Sequence, residues 1–286
     1  MFALIRRNIK IYFFSNIPGV IMSCLGALIS FFIYIGFLQQ NLESSWSHIS
    51  DATQLLDLWM IAGIVSIAGI TTSFQALGQV VNDKESRAAD DIRLTDISYS
   101  TQNLAYVLSS SFISFIMQII TFIVMSGYFT MVNKISIPSD SYLPMLGFML
   151  LGAIAATLLN EIIIFFIHSS TTFSRLSAVI GAAAGFAVAI YMPYGTLSSG
   201  AQTLVKLVPS SYEASALRSL LLNKISNNQM PASMRQSMIN YLGIHFKIWG
   251  HQLTRLETAY VIFGMIVLLI VIVVGLSYLA DRKRKI

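Results

Sequence analysis

Long apolar stretches separated by short charged segments dominate the sequence. Six stretches carry no charged residue, and they contain 32, 25, 37, 20, 30 and 23 residues. About 20 apolar residues cross a bilayer core as a helix, and the runs are continuous rather than alternating, which favours helices over barrel strands. The pattern predicts an all-α integral membrane protein with six transmembrane helices, at residues 17–38, 58–81, 104–131, 143–168, 176–197 and 259–280.

Composition supports a membrane location. Of the 286 residues, 55% are apolar and only 11% are charged, whereas about a quarter of a soluble domain is usually charged. Cys24 is the single cysteine, so the chain cannot form an internal disulfide or a paired-thiol metal site. The four histidines are not spaced as a metal site. We therefore expect no metal centre.

The basic residues predict the orientation, because cytoplasmic loops carry an excess of lysine and arginine. With both termini inside, the inner segments hold 11 basic residues, and the short outer loops hold only Lys134. We expect a multi-pass protein of a bacterial-type plasma membrane with both termini in the cytoplasm.

The amino-terminal residues 1–16 combine basic and apolar positions. Phe2, Ile5, Ile9 and Tyr12 recur at helical spacing beside a basic set, which predicts a helix lying in the headgroup plane. A basic flank that only sets the topology is the alternative. A signal peptide or lipoprotein box ending at Cys24 is disfavoured, because the apolar stretch continues to Leu38.

Motifs for catalysis are missing from the sequence. It contains no G-x-x-x-x-G-K-[ST] phosphate loop, no G-x-S-x-G elbow and no H-E-x-x-H pair. We expect the chain not to be an enzyme by itself, and in particular not to hydrolyse ATP. We assign it no catalytic residue and no bound cofactor.

The inner loop from Val81 to Leu104 is densely charged in a chain that is otherwise poor in charge. Arg87 and Asp91 are spaced i,i+4, and Asp90 and Arg93 are spaced i,i+3, which predicts a short exposed helix with mutual ion pairs. So short a helix is marginal alone and needs a packing partner. A solvated connecting loop is the alternative.

Three segments, in order along the chain, resemble the permease subunits of type-2 ABC exporters, a class that exports drugs, antibiotics and polysaccharides. The run L-I-R-R-N-I-K-I-Y-F-F-S-N-I-P-G-V is similar to the elbow helix of that family. D-K-E-S-R and L-T-D-I-S, within residues 83–98, resemble its coupling helix, with Glu85 at the acidic position. Arg87 and Ala88 replace the usual Gly-Thr pair. Residues 204–222 resemble the family's segment after span five through Pro209, Tyr212, Ala216, Leu217 and Arg218.

The resemblance implies a half-transporter. It implies that the coupling helix docks a separate ATPase, which is present in two copies and holds ATP and magnesium. It implies a second permease copy, identical or homologous. Within residues 198–257 it implies a re-entrant outer hairpin that closes the pathway, together with an extracellular segment; an ordinary extracellular helix is the alternative to the hairpin. The docking residues would be Glu85, Arg87, Asp90, Asp91, Ile92 and Arg93, and the outer gate residues Pro209, Tyr212 and Arg218.

Polar and small residues within the spans are further candidates. Glu161 would be either an interfacial or Arg175-paired carboxylate or a gating group, and Gln75 and Gln118 are weaker candidates for polar roles between helices. Gly181 and Gly185 form a small-xxx-small stripe that would pack either two permease copies or helices of one subunit.

The scarcity of charge in the spans indicates the chemical class of the substrate. A bare ion needs carbonyl or carboxylate ligands that are scarce in these spans, so we expect a lipophilic or amphipathic substrate taken from the inner leaflet or the permease cleft, and membrane lipid as a partner. A long glycan chain is the alternative substrate. We expect no nucleic-acid partner. The alternative function is a stand-alone ion-coupled carrier, or a membrane sensor or immunity protein.

Overall fold

A computed structural model describes residues 1–46, 52–95, 97–223 and 232–284. These residues are almost entirely helical, and a two-stranded hairpin of β1 (Lys247–Ile248) and β2 (His251–Gln252) is the exception within them. The helices are α1 (Phe2–Lys10), α2 (Ile17–Ile33), α3 (Gln39–Ser45), α4 (Ala52–Glu85), α5 (Ala88–Arg93), α6 (Tyr99–Asn133), α7 (Tyr142–Phe165), α8 (Ser170–Ala187), α9 (Ser199–Leu207), α10 (Pro209–Leu221), α11 (Ala232–Leu242) and α12 (Arg255–Arg284).

Short polar side chains begin several of these helices. Asn16 accepts a hydrogen bond from the Gly19 amide and caps α2. Ser98, Ser169 and Ser198 cap α6, α8 and α9 in the same way. Such caps satisfy backbone amides that have no partner within the helix.

Helix α4 is the centre of the bundle. It contains 34 residues and is about 51 Å long at the helical rise. It packs on α2, α6, α7, α8 and α10, and its most apolar window is completely buried. Because neighbours surround α4 on all sides, its apolar residues form the main core rather than a lipid-facing surface.

Five helical segments among the described residues are long and apolar enough to cross a membrane: Ile17–Ser44, Ala52–Glu85, Tyr99–Asn133, Ser139–Phe165 and Arg255–Tyr278. The chain is therefore an all-α, multi-pass membrane protein. Five of the six predicted spans correspond to these segments.

The fifth predicted span differs from the structure. The helix in this region, α8, begins at Ser170 and ends at Ala187, whereas the pattern predicted 176–197. Ala189 adopts a left-handed conformation with φ 51°, and Ile190 donates its amide to the Gly185 carbonyl at 2.9 Å. This is the hydrogen-bond pattern of a Schellman helix end. The apolar residues after Ala187 therefore do not continue the helix.

Helices α9 and α10 follow one another directly, and each is too short to cross a bilayer. Helix α10 has 13 residues, about 20 Å in length. All of them are buried, against α4, α7 and α12. Helix α10 therefore inserts into the bundle, whereas α9 is largely exposed and Val205 is its buried residue.

The two ends of the bundle carry smaller elements. At one end, α1 continues through a π-helical turn, Ile11–Ser15, to the start of α2. At the other end, α11 precedes the β1–β2 hairpin. The two-residue turn of this β hairpin, Trp249 and Gly250, has positive φ at both positions, as in a type I′ turn. Trp249 is fully exposed, whereas Phe246 is buried.

Candidate functional site

Helix α10 carries two fully buried charged residues, Glu213 and Arg218. They are five positions apart, so at about 100° per residue they point roughly 140° away from each other. They do not form a salt bridge. Each side chain therefore depends on groups from other helices, and we define the residues around both side chains as the α10 site.

Glu213 faces the contact between α6 and α7. With the Gln118 amide oriented so that its nitrogen faces acceptors, Nε2 donates to Glu213 Oε1 at 2.9 Å and to the Met149 carbonyl at 3.2 Å. Glu213 Oε2 has no hydrogen-bond partner among the described residues. A carboxyl group buried with a free oxygen is costly. An unpaired oxygen of this kind can accept a hydrogen bond from a hydroxyl, an amide or water.

Two glycines make room for this pair. A Cβ atom at Gly152 would lie 2.1 Å from the carboxyl carbon of Glu213, and one at Gly69 would lie 2.2 Å from the terminal amide of Gln118. Any side chain at either position would collide with the polar pair. The glycines of α4 and α7 are thus required for Glu213 and Gln118 to meet inside the bundle.

Arg218 points in the opposite direction, toward the end of α8. Its Nη2 donates to the carbonyls of Val188 at 3.0 Å and Ala189 at 3.4 Å, and its Nη1 donates to that of Leu242 at 3.4 Å. The guanidinium also lies 4.8 Å from the centre of the Trp59 ring. The carbonyls at a helix carboxyl end carry partial negative charge, which suits a buried cation. Arg218 thereby joins α10, α8, α4 and the end of α11.

Further contacts fix α10 on its remaining sides. Ser215 donates to the Ile244 carbonyl at 2.8 Å, and Arg255 Nη2 donates to the Ser219 carbonyl at 2.6 Å. Tyr212 packs edge-on against Phe246, with ring centres 5.2 Å apart. Pro209 is the first residue of α10, where its missing amide costs no hydrogen bond. The three predicted gate residues therefore lie in one buried helix.

A second polar cluster lies where α1 meets the ends of α4 and α6. Arg7 donates to both Asp83 oxygens, at 2.7 and 2.8 Å. Asp83 also accepts from Tyr106 at 2.5 Å and from Gln79 at 2.7 Å. Hydrogen bonding to Asp83 raises the pKa of Arg7 above its usual value. The bidentate pair fastens α1 to the bundle.

The predicted docking residues are distributed over the loop between α4 and α6. Glu85 ends α4 and accepts from the amide and hydroxyl of Ser170 at the start of α8. Arg87 is exposed and left-handed, with φ 62°. Helix α5 then presents Asp90 and Asp91 to solvent, with Ile92 half-buried. Arg93 is its last residue, and its side chain lies outside the described part.

The predicted intramembrane polar residues are all buried, and Gln75 and Gln118 hydrogen-bond to other helices. Glu161 in α7 is 3% exposed, while Arg175 is exposed. Gln75 donates to the Ser177 hydroxyl and links α4 to α8. Gln118 belongs to the α10 site.

The glycine stripe of α8 has contacts within its own chain. A Cβ atom at Gly26 of α2 would lie 3.3 Å from the Gly181 carbonyl, so α2 and α8 approach closely there. A Cβ atom at Gly185 would lie 2.1 Å from the Tyr191 ring, whereas one at Gly181 would meet open space. Contact with a second copy stays a prediction.

Sequence reasoning did not single out Glu213 or the Arg7–Asp83 pair. A signal for Glu213 was available, because an acidic residue among the small and apolar residues of 204–222 must be neutralised or hydrogen-bonded if the segment enters the membrane. No comparable signal pairs Arg7 with Asp83, which are 76 positions apart.

In residues 1–46, 52–95, 97–223 and 232–284, no three His, Cys, Asp or Glu side chains are grouped as a metal site would require. No protein-family model matches the chain, and no curated protein is significantly similar to it.

Proposed function

We propose that the chain is the transmembrane half of an ATP-driven exporter. It would dock a separate ATPase through α5, pair with a second permease copy, and move a lipophilic or amphipathic substrate outward across a bacterial-type plasma membrane. ATP and magnesium would be bound by the ATPase. The chain itself would supply the pathway and the docking surface.

The observation that carries the proposal is the complete burial of helix α10. A polar helix at membrane depth survives only where protein or water shields it, and α10 is enclosed by α4, α7 and α12. The resemblance of residues 204–222 to the exporter family implies a re-entrant hairpin as an outer gate. The burial of α10, and the bonds of its Arg218 to the ends of α8 and α11, are what a closed gate requires.

The opposite end of the molecule supports the same proposal. Helix α5 is short and exposes two carboxylates, and its only buried residue among those described is Ala89. Helix α1 is amphipathic, with Phe2 exposed and Asn8 buried against Ser109. An interfacial helix and a short charged helix near the same end are expected where an exporter meets its ATPase.

One observation favours the alternative of an ion-coupled carrier. Glu213 and Glu161 are both buried, and each has an oxygen without a partner in the described part of the chain. Buried carboxyl groups are common in proton-coupled transporters. Transport driven by an ion gradient without any ATPase would support this second candidate.

Co-expression with an ATPase encoded beside the chain tests the proposal. We expect the two proteins to copurify and to show ATP hydrolysis stimulated by lipophilic compounds. A Gly-Pro insertion after Ala89 should abolish the stimulation, because it breaks the six-residue helix α5. The same insertion after Gly250, in the exposed turn of the β hairpin, is the matched control. Full stimulation in the Ala89 variant would contradict docking through α5.

A further inference from the structure

A groove on the outside of the bundle is separate from the α10 site. It runs between α6, α7 and α12 and has a volume of about 250 Å³. Its walls are mostly aliphatic, and Leu104, Leu108 and Val274 on its rim are 48%, 42% and 60% exposed. An apolar cavity of about 150 Å³ is enough to bind benzene. The groove therefore has room for part of a hydrocarbon chain.

One end of the groove is polar and uncharged. Ser100, Asn103 and Ser277 lie there, and Asn103 Nδ2 donates to the Ser277 hydroxyl at 3.2 Å. None of the lining residues is basic, so the groove offers no cation to an anionic head group. In the proposed orientation this end faces the cytoplasm, since α6 starts and α12 ends there.

A buried hydroxyl farther along the groove lacks a partner. Ser111 lines the groove and is 6% exposed, and its Oγ has no hydrogen-bond partner among the described residues. Serine in a helix usually returns its hydroxyl to a carbonyl one turn earlier, as Ser109 does to Ala105 at 2.8 Å. A buried hydroxyl without such a bond costs free energy unless a ligand supplies a hydrogen-bond partner. Ser111 therefore indicates that an occupant brings a polar atom into an otherwise apolar groove.

We propose that this groove binds a single-chain amphiphile with an uncharged polar head, taken from the inner leaflet. The head hydrogen-bonds to Asn103 and Ser277, and the hydrocarbon chain lies along the aliphatic wall. An oxygen of the amphiphile accepts a hydrogen bond from the Ser111 hydroxyl. The proposal rests on the proposed export function, because it names the class of substrate and its place of entry. Binding to the permease chain alone can be measured without the ATPase.

Protection of a thiol tests the site. The variant combines Cys24→Ser, which removes the native thiol, with Leu108→Cys on the groove rim, and it is placed in phosphatidylcholine nanodiscs. Monooleoylglycerol should slow alkylation by N-ethylmaleimide, by about tenfold at ten times its dissociation constant. Lysophosphatidylglycerol, with the same acyl chain and an anionic head, should protect much less. The matched control is Ile123→Cys in the same background, on α6 outside the groove and 62% exposed, whose rate should not change.

A second pair of variants tests the hydroxyl. Adding Ser111→Ala to the reporter should weaken the protection by roughly two- to tenfold, the effect of losing one neutral hydrogen bond. Ser126→Ala, which removes another unpartnered α6 hydroxyl outside the groove, should change nothing. Equal protection at both cysteines, equal protection by the anionic lipid, or no protection would each overturn the groove site. Failure of ATPase stimulation would instead contradict the export function.

Discussion

Replacing Arg218 with methionine should destabilise the connection between α10 and α8. Methionine is similar in length but has no donor, so the carbonyls of Val188 and Ala189 lose the Nη2 contacts at 3.0 and 3.4 Å. The Leu242 carbonyl keeps its bond from Trp59 Nε1 at 2.9 Å. Two buried carbonyls are thus left without this donor. Each unpaired carbonyl costs about 1–3 kcal/mol of folding free energy. Removing the buried cation also removes its desolvation penalty, which offsets part of this loss.

We expect a net loss of about 2–4 kcal/mol in the free energy of unfolding for Arg218→Met. Arg218→Lys should recover only part of it, because one ammonium cannot reach both acceptor groups with the geometry of a guanidinium. The assay is thermal unfolding of the detergent-purified protein, with hydrogen exchange at the end of α8 as a local readout. Arg175→Met, at an exposed position, should change the stability by less than about 0.5 kcal/mol. Wild-type stability and exchange in Arg218→Met would refute the role of the guanidinium.

Three further predictions concern α1, the end of α8 and the orientation. Asp83→Asn should release α1 and speed hydrogen exchange in residues 2–10, because the amide cannot accept both hydrogen bonds from Arg7. Asp90→Asn on the exposed helix α5 is the control. Unchanged exchange in Asp83→Asn would contradict the bidentate anchor. Ala189→Gly should raise the free energy of unfolding by about 0.5–1 kcal/mol, since φ 51° strains alanine and not glycine, and a less stable variant in thermal unfolding would refute this. In the Cys24→Ser background, an impermeant thiol reagent added outside should label Trp249→Cys and not Asp90→Cys, and the reverse pattern would overturn the topology.

The membrane class and five of the spans could be predicted because charge is so unevenly distributed. A long uncharged run has few alternatives to a membrane helix. Helix ends were less predictable. Helices α4 and α6 extend beyond their predicted spans, to Glu85 and back to Tyr99. Ser98 caps the start of α6, and Asp83 and Tyr106 hydrogen-bond to each other at that end of the bundle.

The end of α8 could not be predicted from the sequence. Its left-handed residue is Ala189, whereas the usual marker of such an end is glycine. The carbonyls of this turn are bound by Arg218, about thirty positions later in the chain. The apolar run after Ala187 therefore looked like more transmembrane helix.

The α10 site was only partly predictable. Residues 204–222 pointed to a hairpin with Pro209, Tyr212 and Arg218. The partners of its charged side chains come from distant positions, Gln118 and Gly152 for Glu213, and Trp59 for Arg218. Packing of separate helices, not local spacing, determines these contacts.

Transport in proteoliposomes tests the central claim most directly. The permease is reconstituted with its ATPase, and export of a fluorescent lipophilic amphiphile is compared between ATP alone and a sodium or proton gradient alone. The account predicts transport that requires both ATP and the ATPase and is lost in the variant with Gly-Pro inserted after Ala89. Transport driven by an ion gradient in the permease alone, with no response to ATP, would contradict it.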